Sequence, residues 1–416
     1  MKCRFCDSGV TEILDFGKVA LAGAFLKPSA FASEKKYPLR LGFCESCSAA
    51  QLLDLVEPAV MFKDYFYFTS STQTGREHYR RYAGEISARF RPSSVLEIGC
   101  NDGGLLKLLA DDGAKTVIGV DPASNVVGAI SDPRVEIVND FFDERIASQI
   151  VAQHGRMQMV IANNVIAHVP DINGFTQAIC DVLHDDGVFI AESHYIGNML
   201  LQTQYDWIYH EHAYYYSLIS LSKHLSRFGL QVFDIQLRQT HGGSMRYYIC
   251  KMGKWRVSDK VEQLAWDELR HGFGTIKAFR TFATNTERQR DSLVSLLGEF
   301  QANGARVVGY GACGRGNAVL QYCGLTSLGL PYIVDDAPAK VGFHTPGSHI
   351  PIYNREIMDK DRPDYALLFA WPYMDEIRAK CGLKMIVPFP TVHIIEQNRP
   401  HEEYVERRRI AVEQGI

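Results

Sequence analysis

Twice in this chain a short apolar strand runs into a glycine turn and then a helix, and nothing else restricts the fold as much. The first case is Val95-Leu96-Glu97-Ile98-Gly99-Cys100, broken at Asn101-Asp102-Gly103-Gly104 and followed by Leu105-Leu106-Lys107-Leu108-Leu109. The second is the apolar run to Tyr310, then Gly311-Ala312-Cys313-Gly314-Arg315-Gly316-Asn317, then Ala318-Val319-Leu320. Such a turn opens a βαβ unit and lets backbone approach a ligand at the carboxyl edge of a sheet. The expected fold class is therefore α/β, with two Rossmann-like units. A chain of 416 residues has room for two or three domains.

The strands that follow the first turn end in polar residues. Val117–Val120 ends at Asp121, Val135–Val138 is followed by Asp140, Met159–Ala162 runs into Asn163, and Gly187–Ala191 reaches Glu192-Ser193-His194. Asp121 lies at the distance where an acid accepts hydrogen bonds from ribose hydroxyls. The turn lacks a GxGxxG pattern, so a pyrophosphate is disfavoured there. Carboxylates suit a cation, and a sulfonium with an α-amino group carries two. Glu97, Gly99, Asn101, Asp121, Asp140 and Asn163 are thus candidates to bind S-adenosylmethionine rather than NAD. Leu230–Ile235 and Ser244–Ile249, flanking His241-Gly242-Gly243, are expected to close this sheet as an antiparallel pair. Arg246 suits a phosphate, an acidic partner or solvent.

The second turn does match GxGxxG, with Asp335 after the next strand. That pattern admits an NAD site and an oxidoreductase. It equally admits any diphosphate, because amides at a helix start welcome phosphate. Tyr310, Gly311, Arg315, Asn317, Asp335 and Lys340 are candidates for holding a nucleotide. Pro346–Ile352 is expected to shape the pocket wall, with a plain turn as the alternative.

Cys3-Arg4-Phe5-Cys6 and Cys44-Glu45-Ser46-Cys47 are two CxxC pairs among ten cysteines. Four thiolates so spaced fit a closed, structural tetrahedral Zn2+. Tyr65-Phe66-Tyr67-Phe68 could be a lid or an aromatic linker. From Asp259 to Phe300 apolar residues recur at helical spacing among charges, with a break near Gly272 and Gly274. This predicts one or two connecting helices. Net charge is −4, and no apolar run approaches membrane-spanning length. Neither a nucleic-acid nor a membrane partner is expected. The start Met1–Gly9 has no apolar signal region, and a cytoplasmic monomer is expected.

The segment Tyr209-His210-Glu211-His212, with Tyr214, Tyr215 and Tyr216 behind it, packs imidazoles, a carboxylate and phenols together. Imidazole takes a proton near neutral pH, and a carboxylate can orient it. The residues themselves do not separate His212 from His210 as the base.

Glu-Ile-Gly-Cys-Asn-Asp-Gly (97–103), Gly-Val-Asp-Pro-Ala (119–123), Asn-Val-Ile-Ala-His-Val-Pro-Asp (164–171), Tyr-His-Glu-His-Ala-Tyr-Tyr-Tyr-Ser (209–217) and His-Gly-Gly-Ser-Met-Arg (241–246) closely resemble the SAM-dependent nucleotide-sugar C-methyltransferases. The four cysteines and the C-terminal turns extend the resemblance over nearly the whole chain. It implies a zinc-binding domain at 1–62, a SAM-dependent methyltransferase domain at 63–254, a helical connector at 255–302 and a Rossmann-like nucleotide-sugar-binding domain at 303–416. It implies a 4-keto-deoxysugar substrate, methylated through an enolate at C3, with C5, on the other side of the ketone, as the alternative. It assigns His212 as base, with Glu211, Tyr209, His168 and a lid tyrosine, Tyr67 or Tyr65, beside the sugar. The second glycine turn then holds the nucleotide sugar, and no nicotinamide is used.

Overall fold

The computed structural model describes residues 1–63, 73–238 and 242–396. The N-terminal region contributes β1 (Thr11–Ala20), β2 (Lys36–Cys44) and β3 (Ala49–Leu52). The central region contributes β4 (Ser94–Ile98), β5 (Thr116–Val120), β6 (Val135–Val138), β7 (Met157–Asn163), β8 (Leu183–His194), β9 (Tyr214–Tyr215), β10 (Leu230–Arg238) and β11 (Ser244–Lys251). The C-terminal region adds β12 (Val307–Tyr310), β13 (Ile333–Val334), β14 (Ile352–Tyr353), β15 (Tyr365–Leu368), β16 (Lys384–Val387) and β17 (His393–Ile395).

These strands form three sheets. The central one runs β10-β11-β8-β7-β4-β5-β6. Its middle is parallel and its β10–β11 edge antiparallel. Arg246 on β11 is fully buried there, its guanidinium 2.8 Å from the Glu192 carboxylate and 3.3 Å from the Tyr82 ring centroid. The acidic partner is therefore the correct reading of Arg246, and solvent is not. The C-terminal sheet runs β14-β13-β12-β15-β16-β17, parallel except for β17. In both sheets the chain winds outward from one strand, β4 or β12, in two directions. Ligands bind at the carboxyl end of that switch point. The two switch points face each other.

The third sheet is β1-β2-β3-β9, antiparallel throughout. Its last strand comes from far along the chain: Ala50 pairs with Tyr215 and Gln51 with Tyr214. The tyrosine run is thus structural. Tyr214 and Tyr216 donate to the Pro170 and Ile166 carbonyls, clamping the loop that carries His168. Beside this sheet the four thiols of Cys3, Cys6, Cys44 and Cys47 lie within 4.8 Å of one another. Cys3–Cys47 and Cys6–Cys44 sulfurs are each 3.6 Å apart. Sulfurs on a Zn2+ at about 2.3 Å would stand about 3.8 Å apart. Four soft donors and no open position therefore fit a structural zinc.

The stretch expected to connect the domains is two helices, Asp259–Arg270 and Ile276–Ala302. They do more than connect. Phe279 stacks on Phe43 of β2 at 4.3 Å, while Leu293 and Leu297 join the core of the C-terminal unit. Glu268 is fully buried and accepts from the Leu218 and Ile219 amides and the Tyr195 hydroxyl. It caps the helix Leu218–Ser226, satisfying donors that the first helical turn leaves orphaned. Pro346–Ile352 does not wall the pocket. Its Gly347 amide and His349 ring meet the Glu34 carboxylate of the N-terminal region at 2.8 and 2.9 Å. Among the described residues, no helix is long and apolar enough to cross a membrane.

Structural Zn2+ contributes on the order of 10 kcal/mol of folding free energy in small domains. Stripping the metal with a thiol-competitive chelator should therefore release about one zinc per chain and produce a separate, lower-temperature calorimetric transition. A thermogram unchanged by chelation would contradict this placement of the metal.

Candidate active site

A cavity of about 1010 Å³ lies between the carboxyl edges of the central and C-terminal sheets. The first glycine turn forms one wall. Gly99 has φ +69°, and a Cβ there would stand 2.4 Å from Val165 Cγ2. Only glycine lets the chain pass so close while leaving its backbone open to a ligand. Asp121, at the end of β5, accepts the Asn101 amide at 2.9 Å and the Ala123 amide at 2.9 Å. This holds the glycine turn in place. Burial raises its carboxyl above the usual range. Gly99, Asn101, Asp121, Asp140 and Asn163 all line the cavity. Asp140 is half exposed and paired with Arg145 at 2.6 Å.

Glu97 is not among the lining residues. It lies buried behind the turn, where desolvation pushes its carboxyl well above the ordinary range and leaves Oε2 without a hydrogen-bond partner. The Asn163 side chain lies beside it, and its amide partly offsets that rise. A tight glycine cradle with buried carboxylates fits a cationic ligand such as S-adenosylmethionine. Gly99, Asn101, Asp121 and Asn163 would hold it, and a cation so held would favour the ionised form of Glu97 behind them.

The opposite wall is the second glycine turn. Gly311, Arg315, Asp335 and Lys340 line it. Asp335 accepts the Ala312 and Ala337 amides, and Lys340 Nζ donates to the Ala312 carbonyl at 2.7 Å. Arg315 is buried against Asp206, between the Trp207 and Trp371 rings. Tyr310 and Asn317 do not line the cavity. Tyr310 turns its hydroxyl to Asp336, and Asn317 donates to the Ala22 carbonyl of the N-terminal region. The fingerprint fixes the path of the backbone there, not the direction of each side chain.

Between the two walls lies the segment 209–212. Tyr209, Glu211 and His212 line the cavity, as does His168. His210 does not. Its Nε2 meets the Pro38 carbonyl at 3.1 Å, and its ring packs on Tyr37, toward the N-terminal sheet. The choice that spacing left open is made by packing: His212 faces the cavity. Its Nδ1 lies 2.7 Å from the Trp207 carbonyl. A carbonyl only accepts, so Nδ1 carries the hydrogen and Nε2 holds the lone pair. Tyr209 packs its ring 4.2 Å from His212 and lies 3.6 Å from a Cβ position on Gly314, so it bridges both walls. Tyr67 and Tyr65 lie outside the described residues.

His194, at the end of β8, is a neighbour the sequence reading did not single out. Its ring lies 4.5 Å from His212, and that of His168 lies 5.1 Å away. Burial lowers His168 to about 4 and His194 to about 3. His212 is held well below the usual range by desolvation, then by the two neighbouring imidazoles. All three are neutral at pH 7. Burial also pushes Glu211 up to about 7. The site thus offers a neutral imidazole lone pair beside a carboxyl that can hold a proton.

Likeness to known proteins extends over all three regions of the chain. Residues 3–62 match a putative zinc binding domain, 74–235 a methyltransferase domain, and 239–390 a C-methyltransferase C-terminal domain. The chain is similar to C-methyltransferase NovU of Streptomyces niveus, 32% identical over 95% of this chain and 96% of that one. It is also similar to a ubiquinone biosynthesis O-methyltransferase of Azorhizobium caulinodans, 30% identical over 27% of this chain and 46% of that one. Among solved structures, magnesium protoporphyrin IX methyltransferase from Synechocystis with bound SAM is 16% identical. It covers 42% of this chain and 78% of that one, with a TM-score of 0.31. The reading of Gly309–Gly314 as a nicotinamide site finds no support among these relatives. With its zinc-binding, methyltransferase and C-terminal regions in that order, the chain belongs to the C-methyltransferases and is a SAM-dependent enzyme.

Proposed function

We propose that the enzyme methylates a carbon next to the ketone of a nucleotide-activated 4-keto-deoxysugar, at C3, with His212 as the base. The observation that carries this reading is the orientation of His212. Its Nε2 lone pair belongs to a cavity lined on one side by the methyl-donor turn and on the other by a nucleotide-type turn. S-adenosylmethionine, when bound, supplies an electrophilic methyl group. A carbon nucleophile must then come from the substrate, and carbon beside a ketone supplies one on losing a proton.

The residues divide that task. His212 Nε2 accepts the C3 proton, and its Nδ1–H stays on the Trp207 carbonyl, which stabilises the imidazolium formed. Charge develops on the ketone oxygen. Glu211, whose carboxyl holds a proton near pH 7, and the Tyr209 hydroxyl are suited to donate to it. His168, neutral and stacked on Phe62 at 5.4 Å, forms the sugar-side wall. Gly311, Lys340 and the start of the helix Gly314–Tyr322 suit a diphosphate. The cavity, about 1010 Å³, stands at the upper end of the range of about 300–1,000 Å³ that ligand sites span.

His212→Asn should keep S-adenosylmethionine affinity while lowering turnover by about 10²–10⁴-fold, the usual worth of a general base. Turnover is read as gain of one methyl group on a panel of 4-keto nucleotide sugars. His210→Asn, which faces the N-terminal sheet, should stay within a few-fold of wild type. Reversed results would move the base to His210. Solvent deuterium should enter C3 without methyl donor in wild type and not in His212→Asn.

The pH dependence follows from the shift at His212. A base must be unprotonated, and the folded state lowers its proton affinity. On the acid side kcat/KM should therefore hold down to pH 6.5 and fall below it, as His212 takes up a proton; on the alkaline side it should fall as Glu211 loses its proton, at about 7. An acid-side midpoint at or above 6.5 would argue against a buried His212 as base.

Gly99→Ala should weaken S-adenosylmethionine binding by about tenfold or more. The left-handed conformation alone costs a β-carbon about 1–2 kcal/mol, and the Val165 contact adds to it. Calorimetric titration with S-adenosylhomocysteine measures this. Unchanged affinity would exclude the turn as the cofactor cradle.

A further inference from the structure

Asp206 is not part of the cavity lining, yet it is the most heavily engaged carboxylate at the seam between the two units. It is buried to 1% exposure. Its Oδ2 accepts from Arg315 Nε at 2.8 Å and from Trp371 Nε1 at 2.9 Å, with Arg315 Nη2 at 2.7 Å. Both partners belong to the C-terminal unit. The Arg315 guanidinium sits between Trp207 and Trp371, 4.3 and 4.8 Å from their ring centroids. Asp206 itself lies in a short 3-10 turn, Tyr205–Trp207, which follows the last parallel strand of the central sheet in sequence and packs into the core of the C-terminal unit.

The next residue in that turn is Trp207. Its carbonyl receives the Nδ1–H of His212, and its ring stacks on His194 at 4.9 Å. Its indole N–H donates to Gln204 Oε1 at 3.1 Å. From outside, the turn is held by the clamp at Asp206 and by Tyr205, whose hydroxyl lies 3.6 Å from Cys323 Sγ and whose ring packs on Tyr322 and Phe389; of these, only the clamp is ionic, and it sits next to the Trp207 carbonyl in sequence. A buried ion pair between aromatic planes is rigid. Removing one partner leaves the other charge uncompensated and displaces what it held.

We propose that Asp206 is a positioning residue for methyl transfer. By tying the Tyr205–Trp207 turn to Arg315 and Trp371, it holds the Trp207 carbonyl where that carbonyl fixes the His212 tautomer and aims Nε2 at the substrate. Proton abstraction is then coupled to docking of the C-terminal unit. The base is competent only when the unit that carries the nucleotide-type turn is clamped in place. The inference rests on His212 being the base.

The test uses full-length, zinc-loaded enzyme with ¹⁵N-labelled histidine. The His212 ring signals are identified by their loss in His212→Asn. Wild type should show the Nδ1–H tautomer. Asp206→Asn should show that tautomer lost or mixed, with turnover on the 4-keto nucleotide sugar panel reduced about 10- to 100-fold, as expected for a misplaced catalytic group. A role confined to stability would leave the tautomer unchanged. Retention of the wild-type tautomer in Asp206→Asn overturns the proposal, and so does its loss with unchanged turnover. Should Asp206→Asn fail to fold, Trp371→Phe removes one donor to Asp206 while keeping the ring. It should shift the tautomer in the same direction, and an unshifted tautomer overturns the proposal. An active His212→Asn enzyme would instead refute the base, which separates the two failures.

Discussion

Desolvation of the cavity between the two sheets governs the rest of the structure. Burial pushes the groups around the first glycine turn and the segment 209–212 toward their neutral forms: His168, His194 and His212 downward, Glu97, Asp121 and Glu211 upward, whereas the half-exposed Asp140 is held ionised by Arg145. The buried part of the site is therefore prepared for charge rather than charged. A neutral imidazole is the state a base needs. A buried carboxylate with an unpartnered oxygen, as at Glu97, is stabilised when a cation arrives. The same burial that makes an isolated charge costly there strengthens each interaction with a bound ligand.

Such a cavity exists only if the two sheets stay apart at a fixed distance. Both expose their switch points to it, so neither can cover the other's with its own helices. The N-terminal region fills this need from the side. Its Ala20–Ala22 stretch bonds Gln321 and Asn317 of the C-terminal unit, and Glu34 holds the Gly347–His349 turn. Its sheet takes β9 as its outer strand, immediately after His212. The zinc site anchors the sheet on which the catalytic segment is hung, with Phe5 of its first CxxC packed 5.0 Å from Tyr214.

What could be read from the sequence follows from the range of the forces involved. Strands, glycine turns and the paired cysteines are local patterns, and they stand where spacing predicted. Gly99 was legible because its backbone conformation is a property of one residue. Side-chain direction was not. Glu97, Tyr310 and Asn317 sit on motifs yet face away from the cavity, because a motif specifies a chain path and packing decides the rotamer. His210 and His212 differ by two positions and are identical in chemistry. Only the Pro38 carbonyl on one side and the Trp207 carbonyl on the other separate them. His194 and Asp206 gave no signal because their partners lie 18 and 109 residues away, at His212 and Arg315.

The segment 209–212 therefore works as a junction rather than a cluster. Its four side chains go to different bodies. Tyr209 reaches the Gly314 turn of the C-terminal unit, His210 the N-terminal sheet, Glu211 the space beside Gly23, and His212 the Trp207 turn and the central histidines. A segment fixed by three independent units has little freedom to adapt. That is the condition under which a base can be held in register with a substrate and a methyl donor bound to different sheets. Richness in imidazole and phenol made the stretch conspicuous in the sequence. Its function depends on the separate anchoring of each residue, so a substitution that loosens any one unit reaches the base through the backbone between Tyr209 and His212.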